Sequence, residues 1–201
     1  ERDAVPFLTL EQAVGIVSLN AFDESHEETA TVATTTLDRY LGSTGLDHAD
    51  YLKIDTEGCD LQVLRGLDLA SFPVQTILCE FEDRKSAPLG YSVHDLAEHL
   101  TSFGYSVYVS EWFPVVDYGG AHQWRSLMPY PCELESPDSW GNLLAFKEDP
   151  GMAALAWVFA ESMAKFDRAA AKRAEAGNRR YTGRAPGRGV GTDGRPIPDG
   201  E

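Results

Sequence analysis

The 201-residue sequence lacks any long apolar run. A membrane-spanning helix needs roughly 20 consecutive apolar residues, and no stretch approaches that length, so we expect no membrane partner. The chain also opens without the basic-then-apolar pattern of an export signal. From these two absences we predict a cytoplasmic protein.

Cysteine is scarce: only Cys59, Cys79 and Cys132 occur, and no two of them form a Cys-X-X-Cys pair. An odd, scattered set argues against a disulfide framework and favours buried thiols in a reducing compartment. The histidines at 48, 99 and 122 show no metal-ligand spacing either. We therefore predict no metal site built from cysteine or histidine, and name no metal ligand.

Positive charge is sparse outside the C-terminal end. The net charge is −15, yet nine of the 17 basic residues lie from Lys165 onward. The acidic body argues against a surface that follows nucleic-acid phosphates, so we expect no nucleic-acid partner. Residues 178–201 are rich in Gly, Pro and Arg, and this composition predicts a disordered tail.

The rest of the chain alternates strand and helix patterns. Strands are predicted at 51–55, 73–82, 105–110 and 140–148, with helices at 59–65 and 92–103 between the first three. This order predicts an α/β domain over 1–150, with helices over a mainly parallel sheet and the last two strands antiparallel. An Ala-rich helix is predicted over 151–177.

Local signals set several boundaries. Thr36 is a predicted N-cap of a short helix, and Ser92 with Asp95 forms a predicted capping box. The charged stretch 23–29 reads as a loop.

Four carboxylates follow two of these strands. Asp55 and Glu57 lie at the end of one strand, and Glu80 and Glu82 end the next strand along the chain. Open α/β sheets bind ligands outside the carboxyl ends of their strands, so this edge is a candidate site for a cation, a metal or a proton. The alternative is an ion-paired strand end, with Lys53 held by Asp55 or Glu80. The two interpretations stay open.

The segments "TTTLDRYL", "ADYLKIDTEGCDLQVLRGL" and "ILCEFE" resemble the FkbM-type methyltransferase family over about residues 30–82. Members of that family are class I, S-adenosylmethionine-dependent O-methyltransferases. The residues that carry the resemblance are Thr36, Leu37, Asp38, Lys53, Ile54, Asp55, Glu57, Gly58, Leu64, Gly66 and Glu80.

The resemblance implies a Rossmann-like class I methyltransferase sheet and S-adenosylmethionine as cofactor. It implies methyl transfer to a hydroxyl of a carbohydrate or secondary metabolite. The sequence departs from the family in one respect: only Gly15 precedes Gly42, so the glycine-rich turn that holds the cofactor is missing. We therefore expect an N-terminally incomplete domain, with a complementing N-terminal segment or a homo-oligomer as partner.

The resemblance also implies roles for individual residues. Asp55 is the first choice for cofactor contact or proton acceptor, and Glu57 is the second, or else it caps the following helix. Glu80 is a candidate for binding the acceptor or for pairing Lys53. His94 opens a helix beside the crevice and is either a catalytic base or a solvated first-turn histidine.

Aromatic residues are concentrated between the last two predicted strands. Trp112 and Trp124 are candidates for an aromatic lid that stacks on a sugar or another ring. Packing of these rings on the sheet edge is the alternative.

Two other functions are considered. One is a non-catalytic α/β module, or half of a split enzyme, that works by association. The other is a divalent-metal hydrolase using Asp55, Glu57 and Glu80, which is disfavoured because no histidine ligand accompanies them.

Overall fold

A computed structural model describes residues 5–10, 17–21, 24, 26–115, 122–165 and 168. The chain divides into two compact units, Glu1–Met152 and Ala153–Glu201. None of the helices in the described ranges is both long and apolar enough to cross a membrane.

The first unit opens with a three-stranded antiparallel sheet. Its strands are β1 (Val5–Leu10), β2 (Val17–Ser18) and β3 (His26–Val32), in the order β2-β1-β3. The prediction of a loop over 23–29 is therefore wrong from His26 onward. Pairing with β1 satisfies the backbone of β3, while its charged side chains stay exposed to water.

The second sheet has five strands: β4 (Ala49–Ile54), β5 (Val74–Glu82), β6 (Ser106–Trp112), β7 (Trp124–Pro129) and β8 (Trp140–Phe146). Its order is β4-β5-β8-β6-β7. The α/β class and the antiparallel pairing of β6 with β8 are confirmed.

The prediction of a mainly parallel sheet is wrong in detail. Only β4 and β5 pair in parallel, and the other three pairings are antiparallel. The reason is that β8 returns between β5 and β6 and separates the two strands that a helix connects. Strand β7, inside the segment taken as the connection between β6 and β8, was not predicted.

The described residues of this unit up to Lys147 include four helices: α1 (Leu37–Thr44), α2 (Asp60–Arg65), α3 (Asp83–Ser86) and α4 (Val93–Ser102). A 3-10 turn, Ala87–Leu89, follows α3. Both predicted caps are confirmed. The Thr36 hydroxyl accepts a hydrogen bond from the Arg39 N–H at 3.3 Å, and Ser92 with Asp95 forms the capping box of α4.

The core lies between α2, α4 and one face of the five-stranded sheet. Ile77, Cys79, Leu143 and Ala145 supply the sheet side and are fully buried. The helices contribute Leu61, Leu64, Leu96 and Leu100, which are also buried. Burial of each such leucine contributes about 1.5–3 kcal/mol. Cys79 is a buried free thiol, as expected, whereas Cys59 and Cys132 are only partly buried.

The structure describes a helix over 152–165, here α5, all of which except its first residue belongs to the second unit. This agrees with the predicted helix as far as residue 165. Residue 168 is helical, but the rest of 166–177 and the predicted tail 178–201 lie outside the described residues.

Candidate functional site

Acidic side chains from two neighbouring strand ends converge at one edge of the five-stranded sheet. Asp55 directly follows β4, and Glu80 lies near the end of β5, its parallel neighbour. Oxygens of Asp55, Glu57 and Glu80 all lie within 4.8 Å of one another. The convergence expected from the parallel pairing is confirmed.

Lys85 places its ammonium group among these carboxylates. Its Nζ lies 2.5 Å from Glu57 Oε2, 2.8 Å from Glu82 Oε2 and 4.0 Å from Glu80 Oε2. The residue is only 4 % exposed. Sequence reasoning missed Lys85, although its position three residues after Glu82 was a signal, since a one-turn helix brings such residues together.

Two further cations, Lys53 and Arg84, form ion pairs with carboxylates of the cluster. Lys53 Nζ lies 2.6 Å from Asp55 Oδ2, with both side chains substantially exposed. Arg84 Nε lies 3.1 Å from Glu82 Oε1. The pairing of Lys53 with Asp55 is one that the ion-pair interpretation anticipated. A cation introduced by a ligand would therefore meet carboxylates that already have partners.

The pKa values of Asp55 and Glu80 are shifted in opposite directions. Burial raises the pKa of Glu80 to about 8 against the opposing effect of Lys85, and the charges of Asp55 and Glu57 add to the rise. Burial acts to raise the pKa of Asp55 too, but hydrogen bonds from Lys53 and Glu80 outweigh it and lower that pKa. At neutral pH, Glu80 is therefore protonated beside an ionised Asp55.

This protonation makes stability depend on pH. Because the pKa of Glu80 is raised on folding, its stabilising contribution is complete below about pH 4.5 and is lost as the pH rises through about 8. We expect Glu80→Gln to reduce the loss of unfolding free energy between pH 6 and pH 9 by about 1–3 kcal/mol. Urea unfolding at pH 6, 7.5 and 9 measures this loss.

The control for this prediction is Glu133→Gln, since the Glu133 side chain is almost fully exposed. It should leave the pH dependence as it is in the wild type. An equal loss in Glu80→Gln and the wild type would show that Glu80 does not titrate differently in the folded state.

Backbone geometry holds the acidic loop against the turn that carries Lys85. Glu57 has φ 53° and Gly58 has φ 96°. A Cβ at Gly58 would lie 2.8 Å from the Lys85 carbonyl oxygen, so only glycine fits there. Ser18 Oγ donates to the Glu57 carbonyl, and Asn20 Nδ2 donates to the Lys85 carbonyl. Strand β2 and the loop after it thus hold the acidic loop and the turn of Lys85 by hydrogen bonds.

Buried Asp60 stabilises the acidic loop through hydrogen bonds to its backbone. Its carboxylate accepts hydrogen bonds from the N–H groups of Thr56 and Gly58, each at 3.3 Å. Tyr91 donates its hydroxyl to the Gly58 carbonyl at 2.8 Å. Burial raises the pKa of Asp60 to about 6. The suggestion that Glu57 caps α2 is wrong, because the Glu57 carboxylate binds Lys85 instead.

His94 lies in the first turn of α4, as predicted, and faces a different group of residues. Its ring centroid is 6.0 Å from that of Tyr130, and its Nε2 is 3.9 Å from Glu133 Oε2. These residues line a cavity of about 450 Å³ together with Glu98, Pro131 and Cys132. The described contacts do not bring His94 together with Asp55, and its role as a base stays a prediction.

Both candidate tryptophans lie on β6 and β7. Trp112 ends β6, and its ring centroid is 5.5 Å from that of Trp140 on β8. Trp124 begins β7 and donates its Nε1–H to Ser110 Oγ at 3.2 Å. Their roles in substrate binding also stay predictions. Trp140 itself was not singled out as a site residue, although it ends the same aromatic segment.

A cavity of about 680 Å³ lies between α1 and α2. It is lined by Leu19, Thr34, Thr35, Thr36, Leu37, Cys59, Gln62, Val63, Gly66 and Leu89. The Cys59 thiol at its wall is not a reactive thiolate, because burial raises its pKa to about 11. The cavity has the size and apolar lining of a small-molecule pocket.

Comparison with known proteins supports one assignment. No curated protein and no solved structure matches the chain significantly. Residues 3–107 match the methyltransferase FkbM domain, and this match includes β1–β5, α1–α4 and the acidic edge. It covers more than half of the chain, and the chain therefore belongs to the FkbM methyltransferase domain family.

Proposed function

We propose that this protein is an S-adenosylmethionine-dependent O-methyltransferase that acts in the cytoplasm on a hydroxyl of a carbohydrate or secondary metabolite. Membership of the FkbM methyltransferase domain family supports methyl transfer in general terms. The observation that carries the proposal is the meeting of Asp55 and Glu80 at the carboxyl edge of the sheet.

S-adenosylmethionine supplies a methyl group on a positively charged sulfur, which an acceptor hydroxyl displaces in line. The protein must orient the acceptor and take up its proton. Glu57 and Glu82 are engaged by the buried ammonium of Lys85. Asp55 is ionised and 40 % exposed, so it is the carboxylate best placed to accept that proton or to contact the donor.

The residues present fit the charge of the cofactor but not the rest of it. The carboxylate of Asp55, partly exposed and in contact with Lys53, suits the sulfonium. The resemblance implies a glycine-rich turn that holds the methionine part, and only Gly15 precedes Gly42 in this sequence. We therefore name Asp55 as a contact for the donor and assign no residue to the ribose or adenine.

A complementing partner would supply the remaining cradle. Strand β4 forms one edge of the five-stranded sheet, and Tyr51 on it is 56 % exposed. An edge strand with free backbone groups accepts another strand alongside. We propose that an N-terminal segment or a second copy of the chain occupies this edge in the active enzyme.

A non-catalytic module, or half of a split enzyme, is the second candidate. The observation that favours it is the ion pairing of the acidic edge, in which Lys53, Arg84 and Lys85 already hold the carboxylates. The same ammonium of Lys85 disfavours the metal hydrolase, because it engages carboxylate oxygens that a divalent ion would need.

Calorimetric titration with S-adenosylmethionine tests the proposal directly. We expect Asp55→Asn to weaken binding or methyl transfer by about 10- to 100-fold, since a hydrogen bond to a charged group is worth about 1.5–3 kcal/mol. Methyl transfer from labelled donor to a panel of hydroxyl acceptors provides the second readout.

Asp50→Asn is the matched control, because Asp50 is an exposed aspartate on the same strand, remote from its carboxyl end. Unchanged affinity and unchanged turnover in Asp55→Asn would remove Asp55 from the proposed role. Absent or only millimolar binding by the wild type would instead favour the non-catalytic module.

A further inference from the structure

We propose that Trp140 and Trp112 form a platform on which the sugar ring of a carbohydrate acceptor stacks, with Asp55 and Glu80 beside it to bind its hydroxyls. This inference rests on the proposed methyl transfer and names the substrate class for the same edge of the sheet.

Strand register places the tryptophans and the carboxylates on one sheet face. Glu82 is the cross-strand partner of Trp140, and Trp140 is in turn the partner of Trp112. One step further in, Glu80 pairs with Asn142, which pairs with Ser110. Cross-strand partners project side chains to the same face about 5 Å apart, so Glu82 shares a row with the two tryptophans and Glu80 lies in the next row. Ile54 pairs with Cys79, which puts Asp55 level with Glu80 and two strands away from Asn142.

The tryptophan pair is held in a defined geometry. The ring centroids of Trp112 and Trp140 are 5.5 Å apart at an interplanar angle of 34°. Trp140 Nε1 donates to the Phe113 carbonyl oxygen at 2.9 Å, which fixes the orientation of its ring. Both residues are half-buried, and the His122 ring packs edge-on against Trp140 with the ring centroids 5.1 Å apart, so a ligand would contact the part of the pair that His122 leaves exposed. A pre-fixed aromatic side chain binds with little loss of rotamer freedom.

The polar row beside the platform suits hydroxyl groups. A sugar hydroxyl both donates and accepts hydrogen bonds. The ionised Asp55 offers acceptors, while the protonated Glu80 offers a donor. The Asn142 amide, also half-buried on this face, adds one of each.

Charge balance favours a neutral ligand. Lys53 contacts Asp55, Arg84 contacts Glu82, and Lys85 contacts both Glu57 and Glu82. Because these carboxylates already have cationic partners, the edge has little net attraction for a cationic acceptor. A flat apolar acceptor would stack on the rings but would leave buried polar groups without partners, which is costly.

The experiment is saturation-transfer-difference NMR with methyl β-D-glucopyranoside, methyl β-D-galactopyranoside and methyl α-L-rhamnopyranoside as probes. We expect the wild type to saturate ring C–H protons of at least one glycoside. Trp140→Leu keeps apolar volume but removes the ring, and should reduce the signal at least fivefold. Trp140→Phe should retain most of it.

Trp157→Leu is the control, since Trp157 is 67 % exposed and lies in α5. It should leave the saturation signal as in the wild type, and urea unfolding should confirm that each variant is folded. Absence of signal with all three glycosides, or an undiminished signal in Trp140→Leu, would overturn the platform.

Titration with S-adenosylmethionine on the same samples separates this inference from the proposed function. Glycoside binding that depends on Trp140 supports the platform even if the wild type does not bind S-adenosylmethionine. Failure to bind S-adenosylmethionine counts against methyl transfer but not against the platform. Donor binding without glycoside binding overturns the platform and leaves methyl transfer standing.

Discussion

Replacing Lys85 by Met should lower the free energy of unfolding by about 3–5 kcal/mol, as expected when one partner of a buried ion pair is removed. The ammonium lies 2.5 Å from Glu57 and 2.8 Å from Glu82, and the three side chains are mostly shielded from water. Without it, Glu57 would lose the cation that contacts it in a poorly solvated place, and Glu82 would keep only Arg84. Urea unfolding followed by far-UV circular dichroism measures the loss.

The loss should also depend on pH. At pH 5 the carboxylates that lose Lys85 can take up protons at a modest cost in free energy. At pH 8 they either stay charged in a poorly solvated place or take up protons at a higher cost. We therefore expect the variant to be closer to the wild type at pH 5 than at pH 8. A constant difference between the two pH values would argue that Lys85 acts through packing of its methylene chain.

Lys53→Met is the matched control for Lys85→Met. Its ammonium also contacts a carboxylate at 2.6 Å, but the lysine and aspartate side chains are 52 % and 40 % exposed. Exposed pairs contribute about 0–1 kcal/mol. A loss in Lys53→Met as large as that in Lys85→Met would contradict the distinction between the buried and the exposed cation.

Replacing Glu111 by Leu should have an effect of similar size, about 3–5 kcal/mol. Glu111 is completely buried and accepts hydrogen bonds from Arg125 Nη1 at 2.9 Å and from Ser139 Oγ at 2.6 Å. It also accepts from the Glu135 N–H at 3.1 Å. Burial acts to raise the pKa of Glu111, but bonds from Ser139, Glu135 and Arg125 lower it. The leucine would remove the acceptor of the Ser139 hydroxyl and of the Glu135 N–H, and Arg125 Nη1 would keep only Ser139 Oγ at 3.0 Å.

A double variant tests whether the lost unfolding free energy in Glu111→Leu comes from leaving the Arg125 guanidinium without its carboxylate. In Glu111→Leu with Arg125→Met the buried charge disappears, so the loss should be smaller than the sum of the two single losses by at least about 1 kcal/mol. Glu111→Gln keeps an acceptor and should cost about 1–3 kcal/mol. Additive losses in the double variant would mean that Arg125 and Glu111 stabilise the fold independently.

Features that depend on a few neighbouring residues were determined by the sequence itself. Thr36 and Ser92 cap helices because a short side-chain oxygen reaches the N–H groups of the next turn, whatever the rest of the chain does. The family resemblance was also carried by a short segment, about residues 30–82, and the match over residues 3–107 confirms it. The meeting of Asp55 with Glu80 followed from parallel pairing of adjacent strands.

Only the tertiary structure decided which groups surround those carboxylates. Lys85 reaches Glu57 across 28 residues of chain, and Ser18 reaches the Glu57 carbonyl across 39. The insertion of β8 between β5 and β6 places Trp140 beside Glu82, more than 50 residues earlier in the sequence. Such contacts depend on how strands are ordered in a sheet and how turns pack on it, and a local pattern carries no information about either. The sequence thus determined where charge gathers, and the fold determined how that charge is paired, protonated and exposed.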